Sequence, residues 1–182
     1  MDQQGKGLRE PDASENMRIY EPENYRYAER WIKRQNEGVV VVRGKERPYD
    51  VHRQNVSKRY LSPYEPELVD TVLQDWEVFL AKFTGRSGKH RHQGGLVIFI
   101  LEGSGYSILD GERFDWEAGD LVVLPLKPNR VEHQHFANAG ETVKWIAFIY
   151  WPFFQHAGCE ITQIDSCPLY EEVLRGEHSQ IK

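Results

Sequence analysis

His90-Arg91-His92-Gln93-Gly94-Gly95-Leu96-Val97-Ile98-Phe99-Ile100-Leu101-Glu102-Gly103 is the stretch that decides how this chain is read. Two histidines one residue apart share a face of an extended strand. The apolar run over 96–101 is then closed by a glycine, the pattern of a buried strand ending in a turn. A second pair, His133-Gln134-His135, returns later in the chain. Each pair can aim imidazoles at one interior point, and imidazole is the commonest protein ligand for a metal ion. The simplest chemical reading is a metal site.

The flanking sequence supplies the frame. Residues 76–83 read as a strand stopped by Thr84-Gly85-Arg86-Ser87-Gly88. Residues 106–109 and 112–116 flank Asp110-Gly111, a strong hairpin dipeptide, and Gly119-Asp120 turns the chain into a strand over 121–124 closed by Pro125. Residues 131–136 and 143–151 complete the series before Pro152 breaks it. Short strands at even spacing with glycine turns indicate an all-β fold, a single antiparallel sandwich or jelly-roll barrel over residues 76–151.

Outside the barrel the signals thin. Residues 1–17 are polar and aperiodic and are expected to be a flexible tail, and residues 18–75 an extension packing on the barrel. Within it, 24–35 has helical spacing ended by Gly38, 39–42 is a β-branched run expected to be a strand, and 45–66 reads as loop. The C-terminal extension, 152–182, reads as loop followed by a short helix over 169–175. Such additions favour pairing of single barrels, so a homodimer is expected.

Bulk properties narrow the partners. The chain has 182 residues, enough for one well-buried domain. Its 23 basic and 28 acidic residues include no basic block, which argues against nucleic acid and anionic membranes and leaves small molecules, the expected substrate class, or other proteins. No apolar run reaches the length of a membrane span, and the N-terminus lacks a signal-peptide core, so the expected location is cytoplasmic. Cys159 and Cys167 match neither a zinc knuckle nor a redox pair and are read as reduced bystanders.

The ordering of Gly85, His90, His92 and Gly103, then Gly119-Asp120, Pro125, His133 and Asn138, resembles the two metal-binding motifs of the cupin superfamily. The resemblance covers roughly residues 76–151 and implies a cupin barrel. It implies His90, His92 and a third histidine as metal ligands. His133 and His135 share a face, so the residues alone leave the third ligand open. Spacing to Asn138 favours His133, with an insertion at Ala137, and His135 then stands behind the ligands as part of the catalytic set. The chain departs from the family where a glutamate ligand usually follows the second histidine, for Leu96 stands there and cannot ligate. The run between Pro125 and His133 is also longer than usual.

A neutral three-histidine set resembles the cupin dioxygenases that cleave gentisate and salicylate. That resemblance implies Fe(II), with zinc, nickel, copper and manganese remaining open, and an aromatic acid or similar chelator oxidised by dioxygen. Two alternatives stand beside it: an isomerase, lyase or biosynthetic cupin that does not use dioxygen, and a non-catalytic small-molecule binder. Strand alternation points Gly94, Leu96, Ile98 and Ile100 inward, with Gly94-Gly95 leaving room beside the ion. A bulge at that pair could turn Gln93 inward as a substrate contact. Tyr106, Trp116, Trp145, Phe148, Tyr150 and Trp151 read as core before pocket. Arg91, Arg113, Arg130, Gln134 and Glu132 are expected to face outward, and His52, His156 and His178 to be surface or packing residues.

Overall fold

Runs of apolar and β-branched residues joined by glycine turns pair most simply with their neighbours in antiparallel ladders. The computed structural model, which describes residues 22–65, 68, 70–158 and 160–177, contains two such sheets. The first has the spatial order β1 (Asp50–Val51), β2 (Val56–Leu61), β3 (Trp76–Thr84), β10 (Thr142–Tyr150), β5 (Val97–Glu102), β8 (Leu121–Val123). The second has β11 (Thr162–Asp165), β4 (Lys89–His92), β9 (Val131–Ala137), β6 (Ser104–Leu109), β7 (Glu112–Glu117). The described residues are therefore mostly β, a jelly roll accompanied by the α-helices α1 (Glu23–Glu37), α2 (Trp151–His156) and α3 (Pro168–Leu174).

The core lies between the sheets. Ala81, Ile98, Ile100, Val143, Trp145 and Ala147 are buried on the inner face of the first sheet, where period-two alternation predicts them. Trp116 closes over them from the second. The β6–β7 hairpin turns through Asp110 and Gly111, both at positive φ (50° and 90°), as an Asp-Gly turn of matching twist requires.

Four local readings need correction. Residues 39–42 form no strand: Val39 makes one bridge to Thr71, while Val40 and Val41 are exposed. β-Branched residues favour a strand only where another strand supplies the ladder. Residues 45–66, read as loop, contain β1 and β2, and β2 pairs along β3 with Ser57 opposite Ala81 and Arg59 opposite Phe79. Lys58 and Arg59 hid its alternation. The first sheet thus begins well before Trp76.

At the other end, Trp151 starts α2 instead of ending β10. Pro152 sits in the first turn of that helix, where a missing N–H costs nothing. The stretch expected as loop also holds β11, which adds to β4. α1 and α3 lie where periodicity placed them, and the Gly38 amide closes α1 on the Arg34 carbonyl. The expected tail over 1–17, Cys159 and His178 lie outside the described residues.

Candidate metal centre

Antiparallel register decides which histidines meet. On β4 and β9, His90 sits directly opposite His133, and His92 opposite Val131. Directly opposed residues on one face bring their Cβ atoms to about 5 Å. The imidazole centroids of His90 and His133 are 4.1 Å apart, and those of His92 and His133 4.8 Å. One nitrogen from each of His90, His92 and His133 falls within 4.8 Å of the others, a cluster able to hold a metal ion.

His135 is two residues further along β9, opposite Ser107 on β6 instead of a β4 histidine. Its Nδ1 is 2.8 Å from Ser107 Oγ, which also accepts the indole N–H of Trp116 at 2.9 Å. It stands beside the cluster, its centroid 5.6 Å from that of His133, and outside it.

The donor chemistry fits a cation. Nδ1 of His90 and Nε2 of His133 are buried with no hydrogen-bond partner, a costly state for a polar atom unless a ligand completes it. His133 Nδ1 lies 3.1 Å from the Val131 carbonyl, which orients the ring and directs its proton to that side. His92 Nδ1 accepts the Gly94 amide at 3.0 Å. Whichever nitrogen of His92 a cation takes, this hydrogen bond is exchanged for the coordinate bond, because a neutral imidazole has a single free lone pair.

All four imidazoles are held uncharged. Burial, reinforced by His92 and His135, pushes His90 down to about 3, and burial brings His92 to about 4. His135 falls to about 4 through burial and then His92. His133 is lowered well below its ordinary value by burial first and by His90, His135 and His92 after it. Neutral imidazole is the ligating form.

A cavity of about 240 Å³ opens on His90 and His92. Leu96 lies in its wall, so the position that carries a glutamate in typical cupin motifs presents an alkyl group here. Phe79, Ile149 and Phe154 extend the apolar wall. The paired glycines do not make this space: a Cβ at Gly94 would overlap the Pro125 carbonyl, and φ there is +90°. Gly94 is needed for that close backbone approach.

Gln93 is buried, as a turn at the glycines predicts, but its Nε2 donates to the Phe154 carbonyl at 2.8 Å, and it does not line the cavity. It ties α2 to the end of the ligand strand. Among the aromatics, Trp116, Trp145 and Trp151 are core, while Tyr106 stacks on Phe136. The outward assignments agree with the contacts made: Glu132 pairs with Lys89, Arg113 with Asp115 and Arg130 with Glu160.

Sequence reasoning missed the far wall. His52, Arg59 and Glu77 line the same cavity from the strands and loops before the histidine motif. His52, expected as a surface or packing residue, has its Nε2 3.3 Å from Arg59 Nη1. Arg59 Nε lies 3.5 Å from Glu77 and 3.7 Å from Glu65. The one signal available was alternation: Glu77 falls in the row Glu77, Phe79, Ala81, Phe83 that faces inward. Phe154 was hidden by reading Pro152 as a break, although Trp151 and Phe154 have helical spacing and their tilted rings lie 4.8 Å apart.

A two-sheet barrel with a histidine cluster on paired strands of one sheet is the architecture of a cupin. Residues 77–149 match the family model described as a cupin domain, and this part of the chain is a cupin domain. No curated protein matches it. Among solved structures, the polyketide cyclase RemF from Streptomyces resistomycificus is 13% identical at TM-score 0.52, covering 75% of this chain and 93% of that one. Streptomyces PAC13, solved with uridine, is 12% identical at TM-score 0.51, covering 73% and 96%. Salicylate 1,2-dioxygenase from Pseudoaminobacter salicylatoxidans, solved as adducts with gentisate, is 17% identical at TM-score 0.49, covering 76% of this chain and 36% of that one. At these identities the likeness is one of fold, and none of the three transfers its chemistry.

Proposed function

We propose that the protein holds one divalent cation on His90, His92 and His133 and acts on a small chelating molecule, with Fe(II)-dependent oxygenation of a phenolic or other aromatic acid as the leading reaction. The observation that supports this most is the convergence of three neutral, buried imidazoles, two with orphaned nitrogens, beside a cavity that carries an alkyl group at the usual acidic position. A cation on this set would supply a Lewis-acidic centre with coordination positions left for a ligand and dioxygen.

The chain's own residues set the conditions. Three uncharged donors leave the cation's charge uncompensated, which favours an anionic chelator. Leu96, Phe79 and Phe154 exclude water from that side. We assign His135 and Gln93 to positioning: His135 ties β9 to β6 through Ser107, and Gln93 fixes α2 beside the cavity.

Elemental analysis of the purified protein, then anaerobic Fe(II) loading and oxygen uptake against hydroxylated aromatic acids, tests the reading. Stoichiometric iron with substrate-dependent uptake is expected. Iron without uptake across a broad panel removes the oxygenase assignment. One observation favours a second reading, a metal-dependent isomerase or lyase that does not use dioxygen: the Glu77 carboxyl shares the cavity. Turnover with zinc under anaerobic conditions would select it.

We also infer a cytoplasmic homodimer. No helix among the described residues is long and apolar enough to cross a membrane. The outer face of the first sheet exposes Phe99, Leu101, Leu121, Val123 and Tyr150, an apolar surface suited to a second copy.

A further inference from the structure

The cavity has a second polar pole that the metal reading does not use. β3 places Glu77 in the inward row that continues as Phe79, Ala81 and Phe83, and β2 places Arg59 beside it on the same face. The Glu77 side chain is 13% exposed and that of Arg59 24%. A buried ion pair returns little net stability compared with apolar residues of the same size. Its place in the cavity wall that His90 and His92 share points to chemistry.

We propose that Glu77, held by Arg59, is the proton acceptor of this cavity, taking the proton of a ligand hydroxyl as that hydroxyl binds beside His90 and His92. The inference rests on the reading of the three histidines as a metal centre. The ligand O–H bond breaks and its electron pair stays on the ligand oxygen. The proton forms a new O–H bond on a Glu77 carboxylate oxygen. No oxidant or reductant is required.

The other titratable groups of the cavity are poorer acceptors. Arg53 and Arg59 are guanidinium cations. His90 and His92 turn their lone pairs to the cluster or to Gly94. His52 faces Arg59 through Nε2, and burial and then the Arg59 charge lower its basicity. Glu77 moves the other way: burial raises it above its ordinary value, Arg59 opposes that rise by charge and hydrogen bond, and the Glu65 charge adds slightly to it. The carboxylate is thus kept ionised by its partner yet made more basic by its surroundings, as a general base requires. Once Glu77 is neutralised, Arg59 still has Glu65 at 3.7 Å.

The test uses the full chain loaded with zinc, which has no redox chemistry, and catechol as probe, which is un-ionised near neutral pH. Calorimetry in two buffers of different ionisation enthalpy counts the protons released per catechol bound. Glu77→Gln, which keeps an oxygen acceptor for Arg59, is expected to release about one proton more than the native protein. Equal or smaller release overturns the inference. Infrared difference spectra of the native protein provide a measurement independent of any variant. Catechol binding is expected to raise a protonated-carboxyl band, and no such band overturns the inference. If the native protein binds catechol equally well with and without zinc, or not at all, the metal-centre reading falls first and takes this inference with it.

Discussion

At the scale of single residues, His133 and His135 share a strand face, spacing to Asn138 favours His133 in sequence, and two residues along β9 separate a partner of His90 from a partner of Ser107. His133→Gln should lose the cation, while His135→Gln should retain it and cost about 1–3 kcal/mol, the penalty for disturbing a buried hydrogen bond. Metal content after gel filtration, with a urea titration beside it, checks both, and metal loss in His135→Gln alone would reverse the assignment. Leu96→Glu places a carboxyl in the cavity wall. It should lower the apo melting temperature through an unpaired buried charge and raise the metal-induced thermal shift above the native one. A variant unchanged in both respects would mean that residue 96 does not face the ion. The four imidazoles also set a pH dependence. Each is held neutral in the fold down to about 3 or 4 where a value is resolved, whereas the unfolded chain takes up protons below about 6.5. The unfolded state therefore binds more protons in this window. Apo stability should rise with pH from about 4 to about 6.5, by up to about 1.4 kcal/mol per pH unit for each histidine, and be flat in this respect above it. Urea midpoints across that range check this, and the slope should shrink in His135→Gln.

At the scale of elements, α2 and β2 bring the cavity walls that the motif itself lacks. Phe154 packs its ring 5.6 Å from that of His92 and takes the Gln93 hydrogen bond on its carbonyl. Phe154→Ala should destabilise the protein by about 3 kcal/mol and open the cavity to solvent, read as a lower urea midpoint and faster metal exchange. Exchange at the native rate would show that α2 does not cover the ion. The strands from β3 to β10 could be read from sequence because alternation and glycine turns are local signals. β2 could not, because Lys58 and Arg59 interrupt its apolar pattern and only pairing with β3 makes it a strand. The run 39–42 failed in the opposite sense, having strand propensity but only one bridge.

At the scale of the whole molecule, an exposed sheet face bearing Leu121 at 57% and Val123 at 60% should be covered in solution. Light scattering at micromolar concentration should give a dimer, and Leu121→Lys with Val123→Lys a folded monomer; a native monomer would refute the pairing. The barrel, the histidine pairs and the missing acidic ligand were all determined by the sequence alone, because strand periodicity and residue identity are properties of adjacent positions. Spacing to Asn138 favours His133 in sequence, but tertiary structure alone sets it opposite His90 and puts Arg59 and Glu77 in one cavity wall with His90 and His92. Those placements depend on inter-strand register and on which strands share a sheet, and both are fixed by contacts between residues far apart in the chain.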